Sequence, residues 1–132
     1  MPFVTIKTAG PGLTASQVER LQTGATRLMA GTMRKKAELT AVLVEQVPAT
    51  GWSVGGVPVP VAAHLDVKVT AGTNTAEEKA RFIAEAAALL KEVLGAEALP
   101  VATYVVIDEL PADAWGYDGL TQEQRRIALA PV

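Results

Sequence analysis

Cysteine is absent from the 132 residues, and His64 is the single histidine. The lack of cysteine excludes disulfides, thiolate nucleophiles and cysteine-based zinc sites. One histidine cannot build a histidine-rich metal centre. The alternating segment around His64 favours a surface or hydrogen-bonded residue over a catalytic one. We therefore expect neither a metal nor a cofactor.

Charge and hydropathy exclude two further classes. Twelve lysines and arginines against 14 aspartates and glutamates give a net charge of −2, whereas nucleic-acid-binding domains usually carry a basic stripe. No uncharged apolar run reaches the roughly 18 residues that a membrane helix requires. Residues 1–7 lack the basic start and apolar run of a signal peptide. These features predict a soluble cytoplasmic protein that binds neither nucleic acid nor membranes.

The two halves of the sequence resemble each other. Residues 42–48 (VLVEQVP) return as residues 105–111 (VVIDELP), and each final proline is followed four residues later by a tryptophan, Trp52 or Trp115. The second copy begins near Ala63, at an offset of 61 residues. The length suits one domain. We predict a single domain over residues 1–132, made of repeat 1 (residues 2–60), repeat 2 (residues 61–120) and a C-terminal tail (residues 121–132).

Each copy has the pattern of a strand, a helix and a second strand. Residues 3–7 alternate between apolar and polar, as in a half-buried strand. Thr14 with Gln17, and Thr75 with Glu78, fit capping boxes ahead of apolar stripes at helical spacing. Two parallel strands need such a helix as their crossover. Each copy is therefore predicted to be one β-α-β unit.

These units predict an α+β fold in which a four-stranded sheet carries two helices on one face. Residues 101–107 are almost continuously apolar, which is typical of a central strand buried on both faces. The sheet face without helices is expected to be exposed and apolar, and such surfaces mark interfaces. We expect oligomerisation through the sheets. Residues 121–126 resemble the capped start of a short helix, and residues 128–132 either pack on a partner or are loose.

Pro2 is the residue with the most specific chemical potential. Methionine aminopeptidase removes Met1 when a small residue such as proline follows, which would leave a free secondary amine. An α-amino group titrates near pH 7.7–8.0 in a model peptide. An apolar pocket or nearby cations lower that pKa, so that a neutral amine can act as a general base beside a carbonyl. The alternative is a proline that merely starts a strand.

The whole chain resembles the tautomerase superfamily, and in particular a fused, double-length relative of 4-oxalocrotonate tautomerase. The resemblance covers nearly all of residues 2–120 and implies a trimer. It also implies keto–enol or related proton-transfer chemistry on a small 2-oxo or enol carboxylic acid, with Pro2 as the general acid and base. The segments that carry it are residues 1–6 (MPFVTI), the capped helix at Thr14, residues 42–45 (VLVE), residues 51–56 (GWSVGG) and residues 114–119 (AWGYDG).

The same resemblance suggests the substrate-binding residues. Lys35 follows the first helix, where members similar to migration inhibitory factor have a carboxylate-binding lysine, and Arg34 flanks it. Tyr104 falls where those members have a tyrosine that reaches in from a neighbouring subunit, and Trp115 is a further candidate wall. For Lys35 the alternative is a solvated charge run, and for Trp115 it is packing. The family's substrate-binding arginines are replaced here by Leu13, Ala41, Asn74 and Tyr104.

Three alternatives remain open on the sequence. The replaced arginines are compatible with a non-catalytic or vestigial trimeric member that acts as a binding or structural protein. Another family chemistry, such as hydration, decarboxylation or dehalogenation, is the second. Third, Arg125 and Arg126 either close over a neighbour's site or form an exposed basic pair. An internal residue at position 63 has no free amine, so each chain is expected to hold one proline site.

Overall fold

Each half of the chain folds as a strand, a helix and a parallel strand. The computed structural model describes residues 2–129. One short 3-10 turn precedes the second strand (Ala37–Leu39) and another follows it (Ala49–Gly51). In chain order the other elements are β1 (Phe3–Ala9), α1 (Ala15–Gly31), β2 (Ala41–Val47), β3 (Ser53–Val54), β4 (Val57–Pro58), β5 (Ala62–Thr70), α2 (Ala76–Leu94), β6 (Val105–Leu110), β7 (Gly116–Tyr117), β8 (Leu120–Thr121) and α3 (Gln122–Leu129).

The main sheet has the order β2-β1-β5-β6. Within each half the two strands are parallel, and the halves join through the antiparallel pair β1 and β5. The predicted four-stranded sheet of two β-α-β units is therefore confirmed. The prediction that residues 101–107 form a central strand is wrong, because β6 begins at Val105 and lies at the sheet edge, while Val101 is fully exposed. A continuous apolar run does not distinguish burial on two faces from an edge strand with apolar residues on its open side.

Both helices pack on one face of this sheet, as predicted. Val4 and Ile6 of β1 are fully buried beneath them, and α1 and α2 also contact each other. Burying a large apolar side chain stabilises the fold by about 1.5–3 kcal/mol relative to exposure. No helix among residues 2–129 is both long and apolar enough to cross a membrane. Other members of the core are Leu21, Met29, Leu65, Val67, Phe82, Ala86 and Leu90.

The opposite face of the sheet is not the apolar surface that the sequence predicts. Side chains alternate along each strand, and the positions between the buried residues of β5 are the polar His64, Asp66 and Lys68. The ammonium group of Lys68 lies 3.7 Å from the Asp66 carboxylate and 4.0 Å from that of Asp108. Phe3 and other apolar residues lie on the same face, so the face carries both polar and apolar side chains. Its other members are Lys7, Leu43, Glu45 and Val106.

The predicted helix starts are confirmed. Thr14 and Gln17 exchange side-chain and backbone hydrogen bonds at the start of α1, and Thr75 and Glu78 do the same for α2. These bonds satisfy backbone N–H groups that have no partner within the helix. The helix expected after Thr121 is α3, which occupies much of the predicted tail and includes Ala128. Residues 130–132 of that tail lie outside the described residues.

A tight two-residue hairpin follows each β-α-β unit. In the first, Gly55 and Gly56 have φ of 61° and 78°, and in the second, Asp118 and Gly119 have φ of 49° and 80°. Positive φ at both central positions is what the type I′ turn requires, and its twist suits antiparallel strands. The second hairpin leads directly into α3, so it fixes where that helix lies relative to the sheet.

Candidate active site

A cavity of about 520 Å³ opens where β5 ends and β2 is about to begin. This volume is in the range of small-molecule sites. Its walls are the loop after α1 (residues 34–39), the end of β5 with the turn that follows it (residues 70–73) and the segment that contains the second hairpin and α3 (residues 112–128). Five of the lining residues are cationic, namely Arg34, Lys35, Lys36, Arg125 and Arg126.

Pro2 lies at the same end of the sheet. Its carbonyl oxygen accepts a hydrogen bond from the Ala41 N–H at 3.3 Å, immediately after the loop that lines the cavity. Phe3 pairs with Lys68 in the antiparallel register of β1 and β5. Continuing this register by one residue places Pro2 opposite Val69, which immediately precedes Thr70 of the cavity wall. The Pro2 ring is buried and does not itself line the cavity.

The loop after α1 brings Arg34 and Lys35 to the cavity. The Lys35 N–H donates to the Met29 carbonyl at 2.8 Å and ends the helix, while Arg34 adopts a left-handed φ of 59°. The Arg34 guanidinium donates two bonds to the Glu78 carboxylate and a third, at 3.2 Å, to the Thr73 carbonyl. Arg34 thus holds the loop against the start of α2, and Glu78 neutralises its charge.

The positive charge of Lys35 is less compensated than that of Arg34. Its ammonium group donates to the Thr73 hydroxyl at 2.7 Å and forms no ion pair within residues 2–129. Burial, followed by the neighbouring Arg34 charge, lowers the pKa of Lys35 below its usual value. A half-buried cation with only a neutral partner is a favourable place for an anionic ligand.

Trp115 does not line the cavity itself but contacts Thr70, which does. The indole N–H donates to the Thr70 hydroxyl at 3.1 Å, and the Trp115 carbonyl accepts from the Gln122 N–H at 3.0 Å. Trp115 itself lines a shallow neighbouring groove. Its contacts tie the second hairpin and the start of α3 to the end of β5, so it positions the cavity wall.

Tyr104 lies at the opposite end of the sheet. Its carbonyl accepts from the Leu65 N–H near the start of β5, and β5 runs antiparallel to β1. There it lines a second cavity of about 280 Å³ with Trp52, Ala63 and His64. Since Ala63 aligns with Pro2, this cavity is the counterpart of the first in the other repeat. No lysine or arginine is among its described lining residues, and within one chain Tyr104 does not meet Pro2.

Tyr117 and Thr70 are among the residues of the first cavity that sequence reasoning did not find. Tyr117 lies in the second hairpin, and the Arg125 guanidinium carbon stands 3.8 Å from the centre of its ring. Thr70 is the other, and its repeat-1 equivalent is Ala9, so no repeated pattern marks it. Tyr117 and Arg125 are separated by seven residues, and no local sequence pattern predicts their contact. Among residues 2–129 no group of three His, Asp or Glu side chains could hold a metal ion.

Comparisons with known proteins identify the family of the chain. A family model described as "Tautomerase enzyme" matches twice, over residues 2–62 and 64–126. The chain therefore belongs to the tautomerase family, with one family unit in each repeat. It is also similar to "Probable tautomerase K2" of Dickeya dadantii (strain 3937), with 38% identity over 56 residues, which cover 42% of this chain and 84% of the relative.

Solved structures support the fold. A crystal structure of Pt0534 inactivated by 2-oxo-3-pentynoate matches with a TM-score of 0.82 and 17% identity, covering 93% of this chain and 98% of the other. The F6 fused 4-OT wild type, an asymmetric trimer, matches with a TM-score of 0.79 and 24% identity, covering 92% and 98%. The fold of this chain is thus similar to that of the fused 4-OT structure over nearly its whole length.

Proposed function

We propose that this protein is a tautomerase-type isomerase in which Pro2, after removal of Met1, is the general acid and base. The substrate would be a small 2-oxo or enol carboxylic acid. The Pro2 amine would take the proton of the enol hydroxyl and return it to carbon, which gives the keto form with no net change of atoms or electrons. The observation that carries this proposal is the cationic cavity at the end of the sheet where Pro2 precedes β1.

The surroundings of Pro2 support a neutral amine. Its ring is buried, and the cavity one residue away in the register carries the Lys35 charge. Burial and nearby positive charge both disfavour protonation of an amine. Lys35 would bind the substrate carboxylate, Arg34 would hold the loop that carries Lys35 through its pair with Glu78, and Trp115 would keep the wall in place through Thr70. A neutral base and a fixed carboxylate anchor are what a proton transfer of this kind requires.

A trimer would complete the site. The fused relative that matches over nearly the whole chain is a trimer, and Tyr104 is too far along the sheet to reach the Pro2 of its own chain. We propose that Tyr104 of one subunit lines the site of its neighbour. Because the counterpart of Pro2 in the second repeat is Ala63, whose nitrogen is a peptide nitrogen, a trimer would have three proline sites.

Ketonisation of phenylenolpyruvate and of 2-hydroxymuconate tests the proposal. Wild type should exceed the buffer rate with at least one substrate, and Pro2→Ala should lower kcat/KM by about 10²-fold or more, the usual contribution of a general acid–base group. Pro60→Ala, a proline in the loop before β5, should keep the wild-type rate. An intact-mass measurement should show that Met1 has been removed. Full activity of Pro2→Ala, or retention of Met1 in an active enzyme, would contradict the proposal.

A non-catalytic family member is the second candidate. Arg34 is already paired with Glu78, and the family's usual arginine positions hold other residues. This candidate predicts that wild type binds an acid in the cavity but turns over neither substrate. The same assay, combined with calorimetric titration of muconate, separates the two. A panel for hydration, decarboxylation and dehalogenation would follow if binding occurs without ketonisation.

A further inference from the structure

The charges of the cavity wall are not equally available to a ligand. Of its five cations, Arg34 is paired with Glu78 and Arg126 with Glu123. Lys36 is exposed, and no described ion pair holds it. Lys35 and Arg125 are the two partly buried cations without a carboxylate partner among residues 2–129. They stand on different walls, Lys35 after α1 and Arg125 on α3.

Arg125 is held in place by Tyr117. Its Nη2 group donates to the Tyr117 carbonyl at 2.7 Å, and its guanidinium carbon lies 3.8 Å from the ring centre. A cation over an aromatic face is stabilised without being neutralised. Arginine has five N–H donors, and the described structure uses only one of them in a standard hydrogen bond. The orientation of Arg125 is therefore fixed while its charge and most of its donors stay available.

Two further donors in this wall have no hydrogen-bond acceptor among the described residues. The Arg125 Nε and the Gln122 Nε2 are both shielded from solvent and have no partner among the described residues. These side chains are three residues apart on α3, which puts them on one face of the helix, and both line the cavity. Unpartnered buried donors are costly, so an incoming ligand rich in acceptors would relieve that cost.

We propose that Arg125 is a second anion-binding residue of this site, positioned by Tyr117 and opposed to Lys35. This rests on the proposed function for the identity of the reaction. The planar fork of Arg125 fits a carboxylate through two parallel bonds, whereas Lys35 is a single point charge. A substrate with an acceptor at each end would be held across the cavity. The consequence is that acids with two anionic ends are preferred over monoacids.

Steady-state kinetics of Arg125→Ala test this residue with a diacid, 2-hydroxymuconate, and a monoacid, phenylenolpyruvate. The variant should raise KM for the diacid about tenfold or more, with kcat and the monoacid KM changed less than about threefold. Arg125→Lys keeps the positive charge but loses the planar guanidinium group. Its KM for the diacid should lie between those of wild type and Arg125→Ala. Arg81→Ala, an exposed arginine on α2 outside the cavity, removes the same charge and should match wild type. Equal KM values for Arg125→Ala and wild type on the diacid would overturn the assignment.

Binding without turnover separates this inference from the proposed function. Calorimetric titration with muconate should show affinity at least tenfold weaker for Arg125→Ala than for wild type and Arg81→Ala, even if Pro2 proves not to be catalytic. Unchanged muconate affinity in Arg125→Ala would contradict the role of Arg125 whatever the activity. Circular dichroism of each variant checks that α3 and the remaining fold are intact, and Arg125→Lys provides the result if Arg125→Ala does not fold.

Discussion

The indole N–H of Trp115 donates a hydrogen bond to the hydroxyl of Thr70 at 3.1 Å. This bond joins the second hairpin to the end of β5, two structures that form separate walls of the cationic cavity. Tyr117, two residues after Trp115 in the hairpin, stacks against the guanidinium group of Arg125. The bond thus connects the sheet that positions Pro2 with the helix that supplies Arg125.

Trp115→Phe should weaken this connection while an aromatic ring remains. The loss of one neutral hydrogen bond in a partly buried place costs about 1 kcal/mol of stability, and the Thr70 hydroxyl loses its described donor. We expect a larger effect on KM than on kcat, because the wall carrying Arg125 would shift. Trp52→Phe, at the equivalent position of repeat 1, is the control for loss of an indole and should leave KM unchanged. Urea denaturation and steady-state kinetics measure the two effects.

Lys35→Met should separate function from stability. The fold lowers the pKa of Lys35, so protonated Lys35 opposes folding at neutral pH, and this cost is relieved only as pH rises through the folded pKa towards the unfolded one. Removing the charge should therefore leave the free energy of unfolding at pH 7 unchanged or increased. kcat/KM for an acid substrate should fall about tenfold or more. Lys91→Met, an exposed lysine on α2, should alter neither quantity, and a destabilised Lys35→Met protein would argue against the burial account.

Glu78→Gln should reveal the contribution of the Arg34 pair through its pH dependence. Hydrogen bonding from Arg34, with further bonds from the Thr75 backbone, lowers the pKa of Glu78 from 4.5 to about 2. The stabilisation is therefore complete above pH 4.5 and is lost as pH falls through about 2. Denaturation midpoints of wild type and Glu78→Gln should differ most at neutral pH and converge near pH 2. Glu77→Gln, its neighbour in the first turn, should show no comparable convergence.

Gly116→Ala should disrupt the second hairpin. An added Cβ at Gly116 would collide with the Leu120 carbonyl of the opposing strand, and that backbone atom cannot move without breaking the turn. Overpacking of this kind typically costs about 1–3 kcal/mol. We expect a lower melting temperature and a raised KM, since Tyr117 follows directly. Gly51→Ala, whose added Cβ has nothing within 4 Å, is the matched control and should behave as wild type.

The β-α-β units could be predicted from the sequence because their signals are local. The capping boxes at Thr14 and Thr75 each depend on a few neighbouring residues, and both are present in the structure. The order of the strands depends on long-range pairing, which the apolar run of residues 101–107 does not encode. The open sheet face differs from the predicted apolar surface because alternation in β5 places charged residues such as Lys68 on that face.

Only part of the candidate site could be predicted from the sequence. Lys35 and Arg34 follow a predicted helix, so their common location was foreseeable, but the capture of Arg34 by Glu78 joins residues 44 positions apart. The stacking of Arg125 on Tyr117 depends on how α3 folds back from its hairpin. Neither contact has a spacing rule. Tyr104 follows a family pattern that requires a neighbouring subunit, and this remains a prediction.

Titration of the Pro2 nitrogen by ¹⁵N NMR tests the central claim most directly. With ¹⁵N-proline label and Met1 removed, the amine resonance should titrate with a pKa below the 7.7–8.0 of an ordinary α-amino group, because burial and the cationic cavity disfavour protonation. Pro2→Ala identifies the resonance by its loss. A pKa below that range means that a neutral base is available at pH 7. A resonance that does not titrate, or one with a pKa above 8, would contradict the account.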